Sequence, residues 1–288
     1  MTLVPGSKRR VGGLFLAMLL SSHFHLPLSA GAEPLPVFVS ILPQKYLAER
    51  IAGDHVRVSV MVGPGASPAT YEPTPRQMAL LSEATIYFQI GVPFEKVWIE
   101  RLADVNREMK VVHTSEAVMT RDLENHAGRD PHVWTSPLLA GHIARTMTDA
   151  LVASLPGRRS ELEQNYARLA SDLALLDAEI RRIFGTVKGR KFIVFHPSWG
   201  YFADSYGLEQ IAIEEHGSEP AASRLAALIE EAEREEIRTI FVQKHFSRRN
   251  AEAVAKAIGA EVVAVDPLAE DYIANLRSVA ALIAEAMQ

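Results

Sequence analysis

The chain has 288 residues, 48% of them apolar and 23% charged, an ordinary globular composition with enough length for two modest domains. Its net charge of −5, with no basic stripe of the density nucleic acid demands, excludes a nucleic-acid partner. Cysteine is absent, which excludes a disulfide framework and a thiolate metal site.

Residues 1–32 read as a secretory signal peptide. Lys8, Arg9 and Arg10 form a positive n-region, Val11 to Leu20 an apolar core, and Ala30-Gly31-Ala32 a small-residue cleavage motif. The apolar core is too short to span a bilayer as a permanent helix. Cleavage removes three positive charges and no negative ones, taking the net charge from −5 to −8. Export without cysteine also excludes a lipidated cysteine anchor, so the sequence predicts a soluble periplasmic protein. An uncleaved, membrane-tethered form is the alternative.

From there strands alternate with helices. Val37 to Ile41 reads as a strand, Gln44 to Ile51 as a helix and Val56 to Val62 as a strand. Thr74 opens a helix through a capping box with Gln77, with Pro75 at the first helical position. Thr85 to Ile90 is a strand, Phe94 to Ala103 a helix and Lys110 to His113 a strand. Ser136 and Pro137 start another helix. Ser160 and Glu163 suggest a second capping box, after which Leu162, Tyr166, Leu169, Leu173, Leu176, Ile180 and Ile183 recur at steps of four and three. That stripe marks one helix of about 25 residues, near 37 Å long. Lys191 to Phe195, Gln210 to Ile213, Thr239 to Val242 and Glu261 to Val265 then repeat the strand pattern, with helices between and after. Such alternation predicts parallel sheets with covered faces. The resulting division is a first α/β lobe over 33–155, a bridging helix over 156–187 and a second α/β lobe over 188–288. No flexible Gly/Ser linker separates them, so the lobes are expected to move little relative to each other.

Eight histidines follow the signal segment, and context rather than spacing separates them. His132 lies in Asp130-Pro131-His132-Val133-Trp134, just ahead of a helix start. His196 lies in Phe195-His196-Pro197-Ser198-Trp199-Gly200-Tyr201-Phe202, just past an apolar strand, and Asp266 lies in Val265-Asp266-Pro267-Leu268, past another. Ligands of open α/β sheets collect beyond the carboxyl ends of strands, and two imidazoles with one carboxylate suit a divalent metal. Each residue also has a plain structural role open to it: loop histidines bonding local backbone, and Asp266 capping the following helix. Trp134, Trp199, Tyr201 and Phe202 read as packing, and Glu214, Glu215, His216 and Glu219 as a solvated charge cluster. His126 falls in the short polar stretch 124–129, which reads as a loop able to touch metal; His55, His113, His142 and His245 have no supporting context.

Taken with Ser40-Ile41-Leu42-Pro43 and with Gly65-Ala66-Ser67-Pro68-Ala69-Thr70-Tyr71-Glu72-Pro73-Thr74-Pro75, these segments resemble the substrate-binding proteins of zinc and manganese ABC importers. The resemblance runs over essentially the whole mature chain. It implies two parallel-sheet α/β lobes bridged by one long helix, with the metal cleft between them. It also implies a non-enzymatic, monomeric receptor acting with an inner-membrane permease. It places metal ligands on His132, His196 and Asp266, with Zn²⁺ as cargo and Mn²⁺ as the second choice. The family's first histidine falls on Ala69, which cannot coordinate, and its long histidine-rich loop is reduced to the stretch around His126. The open place would go to water, to Glu72 or to His126, or to the ligand of a metal chelate. Two other functions remain: an exported scaffold or adhesin that kept the fold and lost metal, and a zinc hydrolase. The hydrolase needs a carboxylate to activate metal-bound water, with Glu72 as its candidate, and the chain has no His-Glu-x-x-His helix.

Overall fold

Two four-stranded sheets, each parallel throughout, follow one another along the chain. The first contains β1 (Leu35–Ile41), β2 (Val56–Val62), β3 (Ile86–Gln89) and β4 (Lys110–His113) in the order β2-β1-β3-β4. The second contains β5 (Lys191–Val194), β6 (Glu209–Ala212), β7 (Thr239–Val242) and β8 (Glu261–Ala264) in the order β6-β5-β7-β8. This is a computed structural model, and it describes residues 1–3, 6, 33–118, 121–123, 128–214, 221–243 and 248–288. The charged, apolar and cleavage parts of the expected signal peptide lie outside the described residues. So do His126, Glu215, His216, Glu219 and His245.

The central strands read as unbroken apolar runs because helices cover both faces of each sheet. Ile86, Tyr87 and Phe88 are buried in β3, Phe192, Ile193 and Val194 in β5, and Ile240, Phe241 and Val242 in β7. The crossovers of the first half are α1 (Leu42–Ala52), α2 (Pro75–Leu81) and α3 (Pro93–Val105), followed by α4 (Pro137–Ser154). The reciprocal Thr74–Gln77 cap forms as expected: Gln77 N donates to Thr74 Oγ1 at 3.3 Å, and Thr74 N donates to Gln77 Oε1 at 3.0 Å.

The long helix is α5 (Arg159–Phe184), whose 26 residues span roughly 39 Å at 1.5 Å per residue. Leu162, Leu169, Leu173, Leu176 and Ile180 are buried along one stripe, and Tyr166 and Ile183 pack at its margins. The stripe meets α1 and α4 on the side of the first sheet. On the side of the second it meets α6 (Gly200–Tyr206) and α9 (Tyr272–Glu285). One continuous hydrophobic core therefore runs from Val37 through α5 to Phe192 and Ile283. A separate core under α7 (Ala222–Arg234) and α8 (Arg248–Ile258) closes the outer face of the second sheet.

The Ser160–Glu163 capping box does not form. The tight turn Pro156–Arg158 runs straight into α5, so the helix starts two residues early and Ser160 falls inside its first turn. Its hydroxyl accepts from Gln164 Nε2 at 3.2 Å, and Glu163 pairs instead with Arg145 on α4 at 2.6 Å. No helix among the described residues is long and apolar enough to cross a membrane.

Strand order decides where a ligand can sit. In each sheet the chain reverses direction of growth beside the central strand, between β1 and β3 and between β5 and β7. The carboxyl ends of strands at such switch points diverge and leave a crevice. Gly91 and Val92 follow β3, His196 and Ser198 follow β5, and Gln243 follows β7. All of them line one cavity of about 530 Å³.

Candidate metal centre

The opposite wall of that cavity is the loop after β2, which contributes Pro68 and Ala69. This loop is fixed from both ends. Phe94 N donates to Pro68 O at 3.1 Å, and Tyr71 sets its ring edge-on to Phe94 while its hydroxyl donates to Gln77 at 2.6 Å. The adjoining turn at Ile90 and Gly91 is fixed by Glu95, a fully buried carboxylate. It accepts from Gly91 N at 2.7 Å, from Ile90 N at 3.0 Å and from the Ser40 hydroxyl. Burial raises the Glu95 carboxyl above its usual range, and these donors oppose the rise. Gly91 takes φ +95°, a backbone conformation that side chains disfavour, so glycine is what lets the chain turn here.

His132 stands where Pro131 breaks the chain before the short 3-10 turn Val133–Thr135. Asp130, fully buried, accepts from both His132 Nδ1 at 2.7 Å and His132 N at 2.9 Å. Its other oxygen lies 3.2 Å from Arg121 Nε. Arg121 then reaches into the second lobe, donating to Gly200 O at 3.1 Å and pairing with Asp204 at 2.5 Å. A Cβ on residue 200 would sit 2.5 Å from the Arg121 guanidinium carbon, so any other residue there would have to displace that head group.

His196 has the same construction. Its Nδ1 lies 3.0 Å from Glu214, a carboxylate with only 3% of its surface exposed, just past β6. Gln243 Nε2 donates to His196 O at 3.3 Å and to Ser198 Oγ at 2.5 Å, holding the turn after β5. Burial pushes the His196 imidazole below its ordinary pKa while Glu214 pulls it back up. The net result favours the neutral ring, the form that binds metal.

A carboxylate on Nδ1 fixes ring orientation and makes Nε2 the nitrogen that would meet a metal. Both rings line the cavity, with centroids 5.4 Å apart and planes at 77°. Two imidazoles donating to one tetrahedral zinc at about 2.0–2.1 Å would place their centres about 5 Å apart. The separation of the two rings is compatible with one zinc ion between them.

Asp266 is placed differently. Pro267 and Leu268 line the same cavity, but Asp266 itself lines a neighbouring recess of about 210 Å³ with Ala66 and Leu42. Its Oδ1 accepts from Leu268 N at 2.9 Å, closing its own loop; the cap of α9 is Asp271 instead. Glu72 is exposed and does not line the cavity. Among the described residues, no three His, Asp or Glu side chains are gathered closely enough to hold a metal ion as they stand.

The model of the periplasmic zinc-uptake complex component A (ZnuA) family matches residues 37–286. The chain belongs to this family. A solved ZnuA crystal structure is 42% identical, superposes with a TM-score of 0.85 and covers 88% of this chain and all of its own. A zinc-bound ZnuA deletion mutant gives the same identity and score over 88% of this chain and 98% of its own. A putative metal-binding protein of Chlamydia trachomatis is 28% identical over 86% of this chain and 90% of that protein. The zinc-binding lipoprotein AdcA of Streptococcus pneumoniae is 27% identical over 81% of this chain, which spans half of AdcA's length. These likenesses establish the expected architecture of two parallel-sheet lobes and a helical bridge.

Two carboxylates escaped the sequence reading. Glu214 was expected in a solvated cluster, yet β6 ends beside β5 and delivers it under His196. Asp130 was seen only as context for His132. A signal existed: each lies at the same kind of strand-end or pre-helix position as the histidine it holds. Glu214→Gln is expected to weaken zinc binding by about 10–100-fold with the fold intact, the usual cost of losing such a partner. Calorimetric titration and circular dichroism of the variant check this.

Proposed function

We propose that the chain is an exported receptor that captures a zinc ion in the cleft and delivers it to an ABC importer. The observation that carries this reading is the pair His132–His196, brought from separate lobes to 5.4 Å with each Nδ1 held by its own buried carboxylate. The zinc-binding relatives and the zinc-bound ZnuA structure support zinc as the cargo over manganese, and nitrogen donors favour the same choice. His132 and His196 are the nitrogen ligands. Asp266 is the carboxylate ligand, and it joins when its side chain leaves the Leu268 amide. Periplasmic location through signal-peptide cleavage, a monomeric state and docking on an inner-membrane permease belong to the same reading.

Binding and release require no nucleophile or general base. The two buried carboxylates of the site are spent on orienting imidazoles, and Glu72 lies away from the cavity wall, which disfavours a hydrolase. A ligand bound only by the native state stabilises it by mass action, by about 2.7 kcal/mol at a hundredfold excess over Kd. Zinc is therefore expected to raise the melting temperature of the mature protein by roughly 5–10 °C. Absence of any shift at saturating zinc, with chelator-treated controls, would remove the receptor reading and leave the scaffold reading.

A further inference from the structure

We infer that the cargo is zinc carrying a small amino acid chelator, so that protein, metal and amino acid form a ternary complex. This rests on the receptor reading of the same site and names the form in which the metal is bound.

The donor set comes first. In the ternary complex Asp266 stays on the Leu268 amide, so the chain supplies two imidazoles and the chelator takes the two places of a four-donor zinc shell that Asp266 and water fill when zinc is bound alone. The facing wall offers room in place of ligands. Pro68, Ala69, Gly91 and Pro93 present small or ring side chains and no metal-binding atom. A zinc ion with one or two waters would fill only a small part of about 530 Å³, whereas that volume lies within the range of roughly 300–1,000 Å³ of sites that enclose organic ligands.

Charge and polarity then select the ligand class. Lys96 on α3 and Arg129 line the cavity, and Lys96 makes no ion pair among the described residues. A carboxylate bound to the zinc would face these cations. An amine on the adjacent carbon completes a nitrogen-rich shell, and together they form the five-membered chelate of an α-amino acid. Pro93 and Leu123 supply apolar surface for the amino acid side chain. The two orienting carboxylates, Asp130 and Glu214, are engaged on Nδ1 of their histidines and do not compete for the metal.

The test uses the full mature protein, with isotopically labelled L-histidine and glycine as probes. Equilibrium dialysis with zinc, followed by native mass spectrometry, reads what is retained. The expected result is one zinc and one labelled amino acid per protein, with zinc bound about tenfold or more tighter than without amino acid, after correction for competition in solution. Lys96→Glu is expected to lose the labelled amino acid. Retention of zinc with neither probe, at unchanged affinity, overturns the ternary complex and leaves the receptor reading standing. Failure to retain zinc with or without the probes overturns both.

Discussion

His132→Ala and His196→Ala each reduce zinc affinity by at least about a hundredfold, read by competition against a chromophoric chelator. Removing a partner of a ligand already costs about 10–100-fold, and removing one of two convergent imidazoles costs at least the upper end of that range. The effect is specific to these rings. His55 sits 3.0 Å from Glu161 in a partly exposed pair at the end of α1, so His55→Ala is expected to leave zinc affinity unchanged. Because burial holds the His196 imidazole below its ordinary pKa, its contribution to zinc affinity should be lost at a lower pH than an ordinary histidine's would be, read by titrating zinc affinity against pH. Should either imidazole variant bind zinc within threefold of the parent, the ligand assignment fails.

Much of this architecture is written locally in the chain. The β2, β4 and β7 bounds, the Thr74 cap and the α4 start at Pro137 depend on propensity, capping and apolar runs, which neighbouring residues determine. The stripe from Leu162 to Ile183 declared a long helix because 3.6 residues per turn align those positions whatever they pack against. His132 and His196 could be picked out because turns before helices and after strands are where ligands gather. What stayed hidden depends on tertiary neighbours. Glu214 becomes buried only because β6 pairs with β5, and its spacing of 18 residues from His196 carries no period. Asp266 has the expected strand-end position, yet a local hydrogen bond to Leu268 decides where its carboxylate points. The Ser160 cap lost to a preceding turn that supplied a helical start of its own.

Trp134→Ala is expected to destabilise the protein by about 3–5 kcal/mol, as deletion of a large buried aromatic does. The ring is almost wholly enclosed and lies 5.2 Å from the His132 ring. Two hydrogen bonds cross here in opposite directions. Trp134 Nε1 donates to Pro267 O at 2.7 Å, and the buried Tyr272 hydroxyl donates to Trp134 O at 2.5 Å. The segment that carries His132 is thus pinned to the segment that carries Asp266, one from each lobe. Trp134→Phe separates the two contributions, since it keeps most of the ring and leaves the Pro267 carbonyl without its donor. That variant should lose about 1–3 kcal/mol in urea unfolding. Its zinc-induced rise in melting temperature should also shrink, because the Asp266–Leu268 loop no longer has a fixed place beside the imidazoles. A Phe variant with unaltered unfolding and an unaltered zinc response would mean that the long helix alone aligns the two halves of the site. In that case the hydrogen bonds at Trp134 follow the alignment rather than enforce it.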